Sequence, residues 1–214
     1  MTTITFETDD GVTLEGELRE PEGEPRGTAV VCHPHPAHGG SKDHPLLWAI
    51  RGELAQRGWV VLAFNFRGVM GSGGEHTGGE EETRDLRAAI DRVRKEAEGP
   101  TVVVGWSFGA NVAVRHSITD ERVAAVALVG LPIGFDMLPV VDLPDNEELR
   151  AWGTPVLLVA GDDDAICPVP GMLELSGRIP NADVEVIEGG GHFFRRKEQE
   201  PAKAIADFFD EVFQ

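Results

Sequence analysis

Residues 101–109, TVVVGWSFG, decide how this chain folds. The run Thr101 to Val104 is β-branched throughout and predicts a buried strand, and residues 110–116 contain no helix breaker. A serine between such a strand and a helix, with glycine two positions before and after it, lies on a tight turn that lifts its hydroxyl above the sheet edge. Ser107 is therefore a candidate nucleophile.

The turn alone is weak support for catalysis. Glycine occupies 26 of the 214 positions, so a chance G-x-S-x-G is possible and the motif could mark only a tight strand-to-helix connection. In its favour, a helix N-terminus at Ser107 would place free N–H groups and a positive dipole end where acyl transfer develops negative charge. The hypothesis depends on finding partners for the serine.

Two later segments supply such partners. Residues 154–160, TPVLLVA, predict a buried strand that runs into an acidic turn, and residues 184–187 predict a last strand followed by three glycines and His192. Serine, then aspartate, then histidine is the chain order expected for a serine on this kind of turn. Ser107 would attack a carbonyl, His192 would take its proton, and a buried carboxylate would orient the imidazole.

Three residues compete for the role of the carboxylate, because Asp162, Asp163 and Asp164 are consecutive. We choose Asp164, since three residues past Gly161 the turn should aim a side chain inward. Asp136, after the predicted strand 123–130, stays open as an alternative. The acidic run could also be a solvated corner or a cation site, although it lacks the spacing of a calcium loop.

A third segment, HPHPAHGG at residues 33–40, follows the predicted strand 28–33. We expect an oxyanion hole made by the backbone N–H of Phe108 and that of His35, which lies between Pro34 and Pro36 and is held stiffly by them. Three closely spaced imidazoles also leave a zinc site open as an alternative. Its ligands would be His33, His35 and His38. No HExxH or CxxC motif accompanies them, so we predict no metal.

The periodicity along the chain predicts an α/β fold with a doubly wound, mostly parallel sheet of eight strands and helices on both faces. Expected strands are residues 2–8, 12–19, 28–33, 59–66, 101–105, 123–130, 155–160 and 184–188. Helical apolar stripes are Leu47, Ile50 and Leu54; Leu86, Ile90, Val93 and Ala97; and Ile205, Phe208, Phe209 and Val212, with Pro201 near the first helical position. Residues 130–154 leave no room for a large cap, so the site should be shallow and open.

Length and composition favour a single domain, 1–214, with one core. We expect a cytoplasmic protein, without signal peptide or membrane span, whose Cys32 and Cys167 are free thiols. The formal net charge of −18 argues against nucleic acid and anionic membranes as partners, and leaves a salt-adapted host as one explanation. The expected state is a monomer or small homo-oligomer.

Five segments of the chain share the pattern of one known family: CHPHPAHGGSKDHP, FNFRGVMGSGGEHTGGEEETRD, GWSFGA, GDDDAICP and GHFF. Together they resemble the small, uncharacterised α/β-hydrolases related to dienelactone hydrolase, whose pattern is close to HPHPxxGG, FNFRGxGxSxG, GxSFGA, GDxDxxxP and HFF. The resemblance runs from Val31 to about Arg196, and it implies an α/β-hydrolase fold with a triad of Ser107, Asp164 and His192. Met70 and His44 depart from the pattern at the expected pocket rim, which leaves the acyl-group preference open.

These observations together predict a serine hydrolase without a cofactor. Its substrate would be a small carboxylic ester with a short acyl chain, or a thioester, cleaved through an acyl-enzyme. Two alternatives stay open: a non-catalytic binding or scaffold module on the same fold, and an acyltransferase that keeps the triad.

Overall fold

The computed structural model describes residues 1–133 and 141–214, which form an eight-stranded sheet with helices on both faces. The strands are β1 (Thr2–Glu7), β2 (Thr13–Arg19), β3 (Gly27–Cys32), β4 (Trp59–Phe64), β5 (Thr101–Trp106), β6 (Val123–Val129), β7 (Val156–Gly161) and β8 (Ala182–Ile187). The helices are α1 (Pro45–Gln56), α2 (Glu82–Val93), α3 (Phe108–Ser117), α4 (Asn146–Ala151), α5 (Val169–Ser176) and α6 (Gln199–Val212).

The sheet has the strand order β1-β2-β4-β3-β5-β6-β7-β8. Strand β2 pairs antiparallel with both β1 and β4, and every pairing from β4 through β3 to β8 is parallel. The predicted doubly wound, mostly parallel sheet is confirmed. Each strand agrees with the prediction to within two residues at either end.

Two apolar layers sandwich the sheet and explain why its central strands are apolar throughout. Helices α1 and α6 cover one face, where Ile50 and Ile205 pack with Val31. Helices α2, α3 and α5 cover the other face, where Leu86 packs in one cluster with Val30. Adjacent strand residues point to opposite faces, so a strand covered on both sides needs an apolar side chain at every position.

Two helix details differ from the predictions. Helix α2 ends at Val93, because the chain turns there before Gly99 and Pro100; Ala97 packs against the core from outside the helix. Pro201 is the third residue of α6 rather than the first. A proline is tolerated there because N–H groups of the first turn have no intrahelical acceptor.

The carboxyl ends of the parallel strands meet at one edge, and all three predicted polar segments leave the sheet there. Paired residues such as Cys32 and Gly105, or Trp106 and Val129, bring neighbouring strands to the same level. In the described part of residues 130–154 the regular structure is the short helix α4, with no large cap. No helix in the described ranges is long and apolar enough to cross a membrane.

Candidate active site

Ser107 lies at the sharp turn between β5 and α3, with φ 54° and ψ −116°. A positive φ is strained for any residue with a Cβ, and such strain persists only where the surroundings impose it. The Ser107 N–H donates to the carbonyl of Val129 at 2.8 Å, which anchors the turn to β6. A Cβ at Gly105 would lie 2.3 Å from the Gly109 oxygen, and one at Gly109 would lie 2.6 Å from the Cys32 oxygen. Both glycines are therefore sterically required.

Ser107, His192 and Asp164 form a continuous chain of hydrogen bonds. The Ser107 Oγ lies 3.0 Å from His192 Nε2, and His192 Nδ1 lies 2.9 Å from Asp164 Oδ2. With the ionised carboxylate accepting from Nδ1–H, Nε2 of the neutral ring carries the lone pair and accepts the serine proton. The structure therefore brings together the three side chains predicted from separate parts of the sequence.

Asp164 is the member of the acidic run that faces the histidine. Its side chain is fully buried, whereas Asp162 and Asp163 are exposed. Its second oxygen accepts from the backbone N–H groups of Ile166 and Cys167 at 2.8 and 2.9 Å. Burial alone would raise the pKa of Asp164, but the hydrogen bond and charge of His192 and these two N–H groups outweigh it and hold the pKa below its usual value. The alternative acid, residue 136, lies outside the described residues.

The loop that carries His192 fits closely against the sheet edge. Trp106 Nε1 donates to the His192 carbonyl at 3.2 Å. Gly130, at φ 54°, lies beside the imidazole, and a Cβ there would be 3.0 Å from His192 Cε1. Phe194 is completely buried under the loop and anchors it, but Phe193 is 45% exposed. Of the two phenylalanines that follow His192, Phe194 therefore packs the loop down and Phe193 does not.

The segment predicted to supply an oxyanion donor, residues 33–40, folds onto the N-terminus of α3, and we call it the oxyanion loop. A short 3-10 turn, Pro36–His38, follows His35, whose Nδ1 accepts from the Ala37 N–H at 3.1 Å. The His35 ring lies edge-on to the Phe108 ring, with 5.2 Å between centroids. Phe108 is the first residue of α3, so its N–H has no acceptor within the helix. The two residues chosen as N–H donors are thus neighbours beside Ser107.

A third ring, which the sequence analysis did not single out, completes this cluster. The His76 ring centroid lies 5.0 Å from that of His35 and 5.1 Å from that of Phe108. His76 Nδ1 lies 2.7 Å from Oε1 of Glu82, a completely buried carboxylate at the start of α2. The sequence held one signal for this pair: His76 and Glu82 both lie in the glycine-rich segment 64–85, which is one of the five segments that resemble the family pattern.

Glu82 also fixes the loop that carries His76. It accepts from the N–H and hydroxyl of Thr77 at 2.8 and 2.6 Å and from the Gly79 N–H at 2.8 Å. Burial would raise the pKa of Glu82, but the hydrogen bonds from Thr77 and the nearby backbone N–H groups hold it below its usual value. The ionised carboxylate is therefore a structural anchor behind the oxyanion loop.

The geometry does not support the alternative in which His33, His35 and His38 bind zinc. His33 is buried, donates from Nδ1 to the Pro34 carbonyl at 2.7 Å, and accepts at Nε2 from the Phe66 N–H at 3.0 Å. Both of its ring nitrogens are thereby occupied by the backbone. Across residues 1–133 and 141–214, no three His, Cys, Asp or Glu side chains are grouped to hold a metal ion. Cys32 and Cys167 are buried free thiols.

Comparison with known proteins agrees with this architecture. Residues 27–212 match the family described as alpha/beta hydrolase domain. An uncharacterized protein from Rickettsia prowazekii is 28% identical over 203 residues, which cover 91% of this chain and 83% of the relative.

Two solved structures superimpose over almost the whole chain. An alpha-beta serine hydrolase homologue from Coxiella burnetii is 26% identical, with a TM-score of 0.84 and 96% of both chains covered. A serine hydrolase without a lid from Xanthomonas campestris is 25% identical, with a TM-score of 0.83 and coverage of 98% of this chain and 94% of that one. By the extent of the family match, this chain belongs to the alpha/beta hydrolase family.

Proposed function

We propose that this protein is a serine hydrolase that cleaves small carboxylic esters with short acyl chains, or thioesters, through an acyl-enzyme. The observation that carries the proposal is the unbroken chain of hydrogen bonds from the strained Ser107 through His192 to Asp164. Family membership supports a hydrolase, and the lidless neighbour supports a site open to solvent.

In the first half-reaction Ser107 Oγ attacks the ester carbonyl while His192 Nε2 removes the hydroxyl proton. The carbonyl oxygen becomes negatively charged and accepts from the N–H groups of Phe108 and His35, with the positive end of the α3 dipole adding to its stabilisation. Asp164 stabilises the imidazolium that forms. The tetrahedral intermediate then collapses, and His192 gives its proton to the departing alkoxide or thiolate.

In the second half-reaction a water molecule replaces the alcohol. His192 removes a proton from the water, the hydroxide attacks the acyl carbon, and the same two N–H groups stabilise the second oxyanion. Breakdown of this intermediate returns the proton to Ser107 and releases the carboxylic acid. Every proton and electron pair is exchanged between the substrate, water and these residues, so the proposal includes no cofactor and no metal.

The experiment is hydrolysis of p-nitrophenyl esters of graded acyl length. We expect the highest kcat/KM for short acyl chains, because an open site offers little wall to a long one. The Ser107→Ala and His192→Ala variants should each lose nearly all activity, and the double variant should be little worse than either, since the residues act as a unit.

Three outcomes would contradict parts of this proposal. A folded protein that hydrolyses no ester or thioester would favour the binding-module alternative. Faster consumption of the acyl-enzyme by an added alcohol or amine than by water would favour acyl transfer. A preference for long acyl chains would show that a pocket forms over the site.

A further inference from the structure

Aromatic side chains border His192 near the sheet face covered by α1 and α6, where Trp106 packs, whereas Phe108 packs on the opposite face. Phe193 and Trp106 have ring centroids 5.5 and 6.0 Å from that of the imidazole, and 5.8 Å from one another. The His44 ring lies 4.4 Å from Trp106 and 6.2 Å from Phe193. We call His44, Trp106 and Phe193 the aromatic wall.

Packing of the fold explains the position of Trp106 but not the exposure of Phe193. Trp106 is completely buried and its indole N–H is satisfied by the His192 carbonyl, so its position is explained by packing. Phe193 is different, because 45% of it is exposed directly beside the candidate base while the next residue, Phe194, is buried. A large ring left half in water next to a reacting group is available to a ligand.

A further exposed aromatic side chain and a cleft lie close to the wall on α1. Trp48, one turn of α1 beyond His44, is 36% exposed. It lines a cleft of about 560 Å³ together with Pro45, Ala49, Glu198 and Gln199, between the starts of α1 and α6. Phe193 is therefore not the only exposed aromatic ring in the described part of this region.

The chemistry of the triad decides which part of an ester would meet this surface. His192 Nε2 must come within hydrogen-bond distance of the departing oxygen to protonate it, so the group attached to that oxygen passes beside the imidazole. A carbonyl oxygen held by the N–H groups of His35 and Phe108 would point away from the wall, because Phe108 and Trp106 pack on opposite faces of the sheet. The aromatic wall therefore lies on the leaving-group side of the reacting carbon.

The electrostatics of the wall suit an aromatic leaving group better than an aliphatic one. The Arg195 guanidinium lies 5.8 Å from the centroid of the Phe193 ring, and a cation over one face makes the ring's hydrogen edge more positive. Such an edge attracts the electron-rich face of another aromatic ring. His44 accepts the Leu46 N–H at Nδ1, and burial lowers its pKa, so the neutral ring keeps its proton on Nε2.

We propose that the aromatic wall is a leaving-group subsite, and that it selects esters whose alcohol carries an aromatic ring one carbon from the ester oxygen. The inference rests on the proposed esterase function and names the substrate class of the same site. Aromatic pairs add stabilisation beyond buried area that corresponds to about a tenfold preference at most. Phe193 is the specificity-determining residue.

The test compares benzyl acetate with cyclohexylmethyl acetate. The two esters share the acyl group, have leaving groups of similar size and basicity, and differ in the aromatic ring. We expect the wild-type kcat/KM to favour benzyl acetate by about five- to tenfold. In Phe193→Leu, which keeps an apolar side chain but removes the ring, the preference should fall below about twofold.

Phe213→Leu is the matched control. Phe213 packs on Trp59 at the opposite end of the sheet, so the same chemical change there should leave the preference at its wild-type value. If wild type cleaves no ester, p-nitrophenyl acetate included, the proposed function fails and the inference fails with it. If it cleaves p-nitrophenyl acetate but neither of these two esters, only the leaving-group subsite is disproved. If wild type cleaves both with equal kcat/KM, or if Phe193→Leu keeps the full preference, only the leaving-group subsite is disproved.

Discussion

At the scale of single residues, the site depends on one strained serine and on one buried carboxylate whose oxygens are fully engaged in hydrogen bonds. Holding Ser107 at a positive φ costs about 1 to 3 kcal/mol, which the surrounding sheet and helix must offset. Asp164 loses water on burial, but His192 and two backbone N–H groups replace that solvation. The sequence predicted the serine and histidine from their motifs. Choosing Asp164 among three chemically identical neighbours needed its position in the turn after Gly161 and the family resemblance, and Asp136 stayed open because the backbone path decides which carboxylate points inward.

Single substitutions distinguish the roles of the three carboxylates at residues 162–164. Asp164→Asn should lower kcat by roughly four orders of magnitude, because the amide cannot hold the imidazole in the productive tautomer. Asp162→Asn and Asp163→Asn are matched controls on exposed neighbours and should stay within about twofold of wild type. The measurement is kcat on a short-chain p-nitrophenyl ester. If Asp136→Asn is the crippling change instead, Asp164 is not the acid.

We expect buried His33 to make the free energy of unfolding depend on pH. Burial lowers the pKa of His33 to about 4, against about 6.5 in the unfolded chain. Between pH 6.5 and pH 4 the unfolded chain binds a proton at His33 that the folded protein does not bind. The contribution of neutral His33 to the free energy of unfolding is therefore fully present above about pH 6.5 and is lost as the pH falls toward 4. The loss should amount to about 3 kcal/mol.

Urea unfolding at several pH values tests this linkage. His33→Asn should be less stable than wild type at pH 7, because the Phe66 N–H loses its acceptor, but its stability should fall less steeply between pH 6.5 and 4. Burial also lowers the pKa of His116, and that residue contributes equally to both proteins, so the difference in slope is the measured quantity. Identical slopes would show that His33 does not titrate in this range.

At the scale of elements, close contact between the β5–α3 turn and the end of β3 assembles the site. Gly109 faces the carbonyls of Cys32 and His33, which lets the oxyanion loop lie against the start of α3. The apolar runs and their breakers were enough to predict all eight strands, since local patterning determines strands that are buried on both faces. The contact of His76 with His35 could not be predicted, because it joins residues 41 positions apart through a loop without regular structure.

Closing this contact with a methyl group should be costly. A Cβ at Gly109 would lie 2.6 Å from both carbonyl oxygens, so Gly109→Ala should destabilise the protein by about 3 kcal/mol and displace the oxyanion loop. Thermal melts should show a drop in Tm of roughly 6 to 12 °C, with activity lost in the protein that remains folded. Gly153→Ala is the control, because a Cβ there meets nothing within 4 Å. A Gly109→Ala variant as stable and active as wild type would contradict the packing described here.

At the scale of the whole molecule, the dominant feature is the large negative net charge, which the fold does not require. The formal net charge is −18, and surface ion pairs such as Arg122 with Asp91 offset only part of the repulsion among carboxylates. Exposed pairs contribute about 0 to 1 kcal/mol each, whereas excess charge of one sign destabilises the compact state as a whole. Composition was sufficient to predict this property, because it depends on counts rather than on contacts.

Salt should therefore stabilise the protein. Raising the ionic strength to about 1 M shortens the Debye length to about 3 Å, which screens repulsion between separated carboxylates more than it weakens partly buried pairs. We expect Tm to rise steadily with sodium chloride concentration in thermal melts at neutral pH. A falling Tm would mean that the surface ion pairs contribute more to stability than the net charge costs.

Covalent labelling by a fluorophosphonate tests most directly whether Ser107 is a nucleophile activated by His192. Intact-mass measurement of the folded protein should show a single adduct, and peptide mapping should place it on Ser107. Ser107→Ala should not be labelled, and His192→Ala should react at least about a hundredfold more slowly, because general-base activation is lost. A folded wild-type protein that acquires no adduct, or one that is labelled at another residue, would contradict the claim.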